Sequence, residues 1–333
     1  MSVLELTTNS HNILADGPEK KTLEGLRVMQ WNVLADGLAQ FGDFCRVEKQ
    51  YLEWNYRSPL LLDRILKDDP HLICLQELNH FGDCFLPELK QHGYDGEFWQ
   101  KSSSPTQRYK FPLDGCALFY KTSRLQLLES DTIRYEDSQG LKLHQGGQIC
   151  RFKDVDAKQD FVVVNTHLKA KSGAINEKLR VLQIRQLLQR INTVQKRSST
   201  PTILCGDLNA DPLSETYSIL HENFVSVYSL VCPCEPPHRA NELDVLEFCD
   251  AVTDGGAPAE PLFTTWKFRS KEGERQRTID YIWFNTQNKL VPQRRWSTPS
   301  QTTIGPNALP SALYPSDHLP IMCEFRWKAS ESD

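Results

Sequence analysis

The stretch "ILCGDLNADP", residues 203–212, runs from an apolar segment into a carboxylate, a carboxamide and a proline turn. Side chains alternate along a strand, so Asp207 and Asn209 are expected on one face at the end of a buried strand. Asp and Asn also favour turns, and "NADP" alone reads equally well as one. The neighbouring stretches weigh against that plainer reading. "MQWN" ends an apolar run in Asn32, "LICLQE" ends one in Glu77 and "VVVNTH" ends one in His167. "RTIDYIW" carries Asp280 within a strand-like run, and "YPSDHLPIMCEF" sets Asp317 and His318 at the start of the last one. Turn formation explains any one of these; it does not explain carboxylates, carboxamides and imidazoles at the ends of so many core strands.

Working outward, "LRVMQWNVL", "HLICLQEL", "DGCALFY", "QICRFKDV", "DFVVVNTHL", "TILCGDLN", "LFTTWKF", "TIDYIWF" and "HLPIMCEFRW" are all rich in β-branched, aromatic or other apolar residues. Helical spacing marks 51–69, with Leu61, Ile65 and Leu66 on one face. It also marks 176–196, with Leu179, Leu182, Leu187 and Ile191, and the shorter 213–223. Many strands with interspersed helices predict an α/β domain of two sheets covered by helices. No Gly- or Ser-rich linker divides the chain, so residues 25–328 read as one catalytic domain between flexible tails at 1–24 and 329–333. "NILADG" at 12–17 nearly repeats "NVLADG" at 32–37, but only the second copy follows an apolar strand.

Composition narrows the function. The 333 residues are 39% hydrophobic and 24% charged, as in water-soluble domains. No apolar run approaches the ~20 residues of a membrane helix, so membrane insertion is not expected. The acidic, polar N-terminus resembles neither a secretory nor a mitochondrial leader; a cytoplasmic location is expected, with a mitochondrial one for an alternative N-terminus. Of ten cysteines, Cys74, Cys116, Cys150, Cys205 and Cys323 lie in apolar runs, where a free thiol acts as a small hydrophobe. Cys232 and Cys234, with His238 nearby, have the wrong spacing for a zinc site and read as a Pro-rich surface loop. A net charge of −5 argues against a long electrostatic track for nucleic acid while allowing a local basic pocket.

The residue types at the strand ends suit hydrolysis of a phosphate ester. Mg²⁺, or Mn²⁺ in its place, prefers oxygen ligands, keeps several waters and needs few protein carboxylates. Glu77 and Asn32 can supply those ligands, with Asp207, Asn209 or Asp317 close by. His167 and His318 can donate to phosphoryl oxygens, and a carboxylate beside a histidine fixes its tautomer. Asp207 is the natural partner for an attacking water, oriented by Asn209.

The set W-N, L-Q-E, T-H, G-D-L-N, I-D-Y and S-D-H, in this order, resembles the endonuclease/exonuclease/phosphatase superfamily from about Leu26 to Trp327. The resemblance implies a four-layer α/β sandwich, two mixed β-sheets packed face to face with helices outside, and Mg²⁺-dependent hydrolysis with Asp280 in the catalytic set. "CLQELNHFGDCFLPELKQHGYDG", "THLKAK", "TTWKFR" and "IGPNALPSALYPSDHL" are similar to the branch holding the nocturnin-like proteins beside the CCR4-type deadenylases. For that branch the resemblance implies removal of the 2′-phosphate of NADP⁺ and NADPH. Glu77 then becomes the chief Mg²⁺ ligand with Asn32 its neighbour, and Lys101, Lys169 and Lys171 clamp substrate phosphates. Lys171 stands where the family pattern has Arg, which keeps the charge and loses the bidentate fork.

Two substrates fit one catalytic centre. A dinucleotide phosphate needs a compact pocket with a few cations, which Lys101, Lys169, Lys171, Arg275 and Arg277 could supply; Asn32 and Asn209 would join them at the substrate. A poly(A) tail wants a groove with stacking aromatics, so RNA is disfavoured though not dismissed. A lipid or inositol phosphodiesterase fits the chemistry but not the branch motifs. A non-catalytic binding module would have lost part of the ligand set, which is intact. Residues 99–115 are expected to loop over the site, or else to form a solvated hairpin loop. Arg275 and Arg277 read equally as a solvated turn, and Trp266 fits core packing better than a base contact.

Overall fold

The computed structural model describes residues 25–195, 200–230, 248–250, 260–285 and 289–328. Both tails, the first "NILADG" copy and the Cys232–Cys234 stretch lie outside the described residues. In chain order the first strands are β1 (Leu26–Asn32), β2 (Leu72–Leu78), β3 (Tyr94–Gln100), β4 (Gly115–Lys121), β5 (Leu125–Glu136), β6 (Lys142–Asp154), β7 (Gln159–His167) and β8 (Thr202–Asp207). They are followed by β9 (Val225–Ser226), β10 (Phe248–Asp250), β11 (Thr265–Arg269), β12 (Gly273–Arg277), β13 (Asp280–Phe284), β14 (Leu290–Trp296) and β15 (Ile321–Trp327). The helices are α1 (Asp36–Phe41), α2 (Trp54–Asp68), α3 (Leu86–Gln91), α4 (Ala174–Val194), α5 (Glu215–His221) and α6 (Gln301–Ile304).

A seven-stranded sheet runs β10-β14-β15-β1-β2-β4-β3, and a six-stranded sheet runs β5-β6-β7-β8-β13-β9. Each is mixed, with one parallel pair, β1–β2 in the first and β7–β8 in the second. Period-two alternation sorts the core into layers. Leu26, Val28, Leu72, Cys74, Phe161, Val163, Ile203, Cys205 and Ile282 pack together in one cluster between the sheets. The alternate residues Met29, Trp31, Ile73 and Leu75 meet α2 and α3, while Val162, Val164, Leu204 and Trp283 meet α4 and α5. The result is the predicted sandwich of two mixed sheets flanked by helices. The five strand cysteines are buried and free.

The layer between the sheets changes character along its strands. Phe161 and Val163 give way to Asn165 and then His167; Leu26 and Val28 to Gln30 and then Asn32; Ile203 and Cys205 to Asp207. At the boundary the buried amides satisfy one another. Gln76 donates to Gln30 Oε1 (2.6 Å) and to Asn165 Oδ1 (2.8 Å), and Asn165 donates to the carbonyls of Ala117 (2.8 Å) and Leu75 (3.2 Å). Such a network ties the sheets together and spares these amide donors the ~1–3 kcal/mol cost of burial without a partner, although among the described residues Gln76 Oε1 has none.

Helix α4 corrects one expectation. Its buried face is Arg180, Gln183, Ile184, Leu187 and Ile191, whereas Leu179 and Leu182 are only half-buried. Two polar side chains take core positions because they hold the loop after β7. Arg180 donates to the carbonyls of Lys169 (2.9 Å) and Lys171 (2.8 Å), and Gln183 Oε1 accepts from Lys169 N–H (2.9 Å). In α2, Leu61 and Ile65 face the core as expected, joined by a fully buried Arg57.

Candidate active site

The polar end of the inter-sheet layer opens into a cavity of about 520 Å³. Strand register assembles its floor: His167 pairs with Asp207 across β7–β8, and Asp207 pairs with Asp280 across β8–β13. The facing sheet brings Asn32, whose Nδ2 donates to Asp207 Oδ2 (3.0 Å), and Gln30, whose Nε2 donates to Asp280 Oδ1 (3.1 Å). Glu77, His167, Asp207, Asn209, Asp317 and His318 line the cavity together with Lys171, Arg275 and Arg277.

Asp207 and Asn209 reach the same cavity, but not by strand alternation. Strand β8 stops at Asp207, and Asn209 turns into the left-handed region with φ +50°. Its N–H donates to Asp207 Oδ1 (2.9 Å), and its Nδ2 lies 3.1 Å from His167 Nε2. The turn and the presented pair are thus one feature. The last acid of the quoted stretch, Asp211, accepts from Arg277 Nη2 (2.8 Å) and Nε (3.0 Å). Leu34 (φ +56°), Glu77 (φ +55°) and Lys171 (φ +76°) are left-handed too. Each such residue costs roughly 1–3 kcal/mol and persists only where the surroundings hold it. All four line this cavity. Around Leu34, Arg57 supplies the hold by donating to the carbonyls of Val33 (3.0 Å), Leu34 (2.7 Å) and Pro315 (2.9 Å).

The two histidines are driven to opposite states. Burial and the nearby Lys101 ammonium push His167 down to about 4, so its ring is neutral at neutral pH. Burial also acts against a charge on His318, but the carboxylates of Asp280 and Asp317 outweigh it and hold the ring at about 9. Its Nδ1 lies 2.8 Å from Asp280 Oδ2, which also accepts from Thr264 Oγ1 (2.6 Å). Its Nε2 lies 3.9 Å from both Asp207 and Asp317. Asp317 is buried, yet Lys267, His318 and Arg269 hold its carboxyl well below the usual range. Burial instead raises Glu77, with Lys101 pulling the other way.

A divalent cation fits this floor. The Glu77 side chain accepts a long contact from Ala35 N–H (3.4 Å) and is otherwise a half-buried, hard oxygen donor facing the cavity. One ligand atom each from Asp207, Asp280 and His318 also lie within 4.8 Å of one another.

Several expectations shift in place. Asn32 and Asp280 lie behind the cavity wall rather than on it, bonded to Asp207 and His318. Lys101 is likewise absent from the lining and pairs with Asp114, so it acts on the floor through its field. Lys169 is absent too: the two backbone bonds to α4 turn the chain so that only Lys171 reaches the cavity. Residues 102–113 do not cover the site; a short 3-10 turn at Pro105–Tyr109 leans on α1, with Phe41 stacked on Tyr109 at 3.8 Å. Trp266 is buried beside Phe263, as core packing required. The sequence reading missed Lys267, Arg269 and Lys271, which line the cavity, and the supporting Gln30, Arg57 and Thr264. "TTWKFR" did display two of those cations, but their alternation on a hairpin strand was the only signal.

Comparison with known proteins agrees with this fold. Residues 29–318 match the model of the Endonuclease/Exonuclease/phosphatase family, and the chain belongs to that family. It is 36% identical over 307 residues to nocturnin of Rattus norvegicus, covering 90% of this chain and 65% of that protein. The chain therefore spans just under two thirds of that relative's length. The structure of the human nocturnin catalytic domain with bound sulfate superposes with a TM-score of 0.71 at 31% identity, covering 92% of this chain and 95% of that one. The CCR4-Not complex 3′-5′-exoribonuclease subunit Ccr4 of Neurospora crassa is 26% identical over 379 residues, covering 91% of this chain and 46% of that one. Among the described residues no helix is long and apolar enough to cross a membrane.

Proposed function

We propose that this protein is a Mg²⁺-dependent phosphohydrolase that removes the 2′-phosphate of NADP⁺ and NADPH, giving NAD⁺ and NADH, and that it works in the cytoplasm. One observation carries the reading: a compact acidic and imidazole floor is ringed by Lys171, Lys267, Arg269, Lys271, Arg275 and Arg277. That ring suits a small, highly charged anion. Among the described residues Phe44 is the one Phe, Tyr or Trp in the lining, and Arg269 lies over its ring at 4.5 Å, which leaves little stacking surface there for a poly(A) strand. The likeness to Ccr4 keeps 3′-trimming of poly(A) as the second reading.

Glu77 would hold the cation, with Asn32 fixing Asp207 beside it; the bound cation neutralises phosphate charge and acidifies water. His318, protonated and oriented by Asp280, donates from Nε2 to a phosphoryl oxygen. Asp207 accepts the proton of the attacking water, which Asn209 orients; as the water oxygen bonds to phosphorus the ester bond to the 2′-oxygen breaks, and His318 supplies the proton of the departing hydroxyl. Neutral His167 donates a further hydrogen bond without adding charge. Lys171, Arg275 and the hairpin cations bind the rest of the anion.

The test is phosphate release from NADPH and NADP⁺ with Mg²⁺, beside trimming of an oligo(A), with Glu77→Ala as the blank. Phosphate release over an intact oligo(A) is expected; the reverse makes the protein a deadenylase. Mg²⁺ should also raise the unfolding temperature of the wild type and leave that of Glu77→Ala unchanged.

A further inference from the structure

All the rim cations named above except Lys171 stand on a hairpin that belongs to neither sheet. Among the described residues strands β11 and β12 form a two-stranded unit of their own, tied to the floor by an isolated bridge from Thr265 to His318. Lys267, Arg269, Lys271, Arg275 and Arg277 all sit on it. Its tip is held instead by the segment after α1. Asp43 accepts from Ser270 N–H (2.8 Å) and Ser270 Oγ–H (2.6 Å), and its carbonyl accepts from Arg269 Nη1 (2.7 Å). Flanking contacts interleave the two pieces: Arg269 lies over Phe44 at 4.5 Å and Arg46 over Phe268 at 3.7 Å. From this position Arg269 Nη2 comes within 3.9 Å of Asp317 on the floor.

We propose that Asp43 is a positioning residue for this enzyme: it pins the hairpin tip through Ser270 and Arg269, and so holds the cationic rim over the floor where the substrate phosphates bind. An acid at the mouth of an anion site is otherwise a handicap, since its charge repels the substrate. Here the carboxylate spends its acceptors on the hairpin, and the Ser270 hydroxyl and N–H keep its carboxyl below the ordinary value. Preorganised cations bind without first losing the freedom of a loose hairpin. The choice of NADPH as substrate rests on the proposed function; the pin itself does not.

The sign of the effect tests it. If Asp43 acts only through its charge, Asp43→Ala removes a repulsion and tightens anion binding. If it is a pin, Asp43→Ala loosens the hairpin and weakens binding. We expect the KM for NADPH to rise about tenfold, the scale of losing charge-assisted hydrogen bonds, with a much smaller change in kcat. Amide exchange over 268–273 should quicken. Ser270→Ala, which keeps the backbone N–H bond, should have a smaller effect. Added to Asp43→Ala it should cost almost nothing more, since Ser270 acts through the same carboxylate. Asp43→Asn, which keeps one acceptor oxygen, should fall between and serves if the alanine variant folds poorly. Binding of inorganic phosphate, followed by calorimetry, provides a readout free of the NADPH assignment. Should the wild type leave NADPH intact, the proposed function fails, and weaker phosphate binding by Asp43→Ala would still uphold the pin. Unchanged or tighter phosphate binding, or unchanged exchange in the hairpin, overturns it.

Discussion

The floor and the rim of the cavity are built in different ways. The floor is a continuation of the core: His167, Asp207 and Asp280 stand in register on neighbouring strands, buried and cross-linked by amides from the facing sheet. The rim is Lys171 together with a cationic hairpin outside both sheets, whose Arg275 side chain is 55% exposed. Chemistry needs groups fixed to a fraction of an ångström, which packed strands provide. Anion binding asks less of geometry and more of charge, which a pinned cationic hairpin provides. Floor substitutions should therefore remove turnover, and rim substitutions should weaken binding while leaving most of kcat.

The largest effect is expected at Glu77. Replacement by Ala should lower kcat by more than the ~3 kcal/mol typical of losing one transition-state contact. The fold should not suffer. Burial raises the Glu77 carboxyl above its ordinary 4.5, so at neutral pH its charge opposes folding. Urea unfolding should show Glu77→Ala as stable as the wild type or more so. A variant that loses both turnover and stability would make Glu77 part of the scaffold.

Asp280→Asn comes next. It leaves His318 in place but removes the carboxylate that keeps the ring protonated. A loss of about 10²-fold or more in kcat is expected, from the lower end of the range for general acid–base groups upward. The pH profile separates this from simple damage. His318 is raised from 6.5 to about 9 in the fold. Its contribution to stability is therefore complete below 6.5 and is lost as pH rises through about 9. Activity should share that alkaline limb, and in Asp280→Asn the limb should move to lower pH. A limb that stays in place would remove His318 as the proton donor.

The contrast also explains what could be read in advance. The strand ends that build the floor were legible because alternation and core packing restrict them: a carboxylate or imidazole ending a run such as "VVVNTH" is conspicuous. The two-sheet sandwich followed from the same runs. Strands β3, β5, β12 and β14 lie at or near edges, carry more exposed polar residues and gave no such signal. Partners across the sheets were illegible for another reason. Gln30 and Asp280 are 250 residues apart, and only the packing of two sheets brings them together. Arg57 was hidden because a buried arginine on a helix looks like a solvated one until its three carbonyl acceptors are assembled.

The finest test of floor against rim compares two lysines one residue apart from a shared alanine. Lys169 and Lys171 flank Ala170 and carry the same charge, so a model of diffuse electrostatic attraction predicts similar effects from removing either. Their backbones say otherwise. Lys169 is held by Arg180 and Gln183 of α4 and stays out of the cavity lining, while Lys171 adopts φ +76° and enters it. Lys171→Ala should raise the KM for NADPH more than it lowers kcat. Lys171→Arg should lower KM if the bidentate fork finds the phosphate. Lys169→Ala should change KM by less than about twofold, the scale of a screened surface charge. Equal losses from the two alanine variants would mean that summed charge governs binding and that the backbone turn at Lys171 has no part in it.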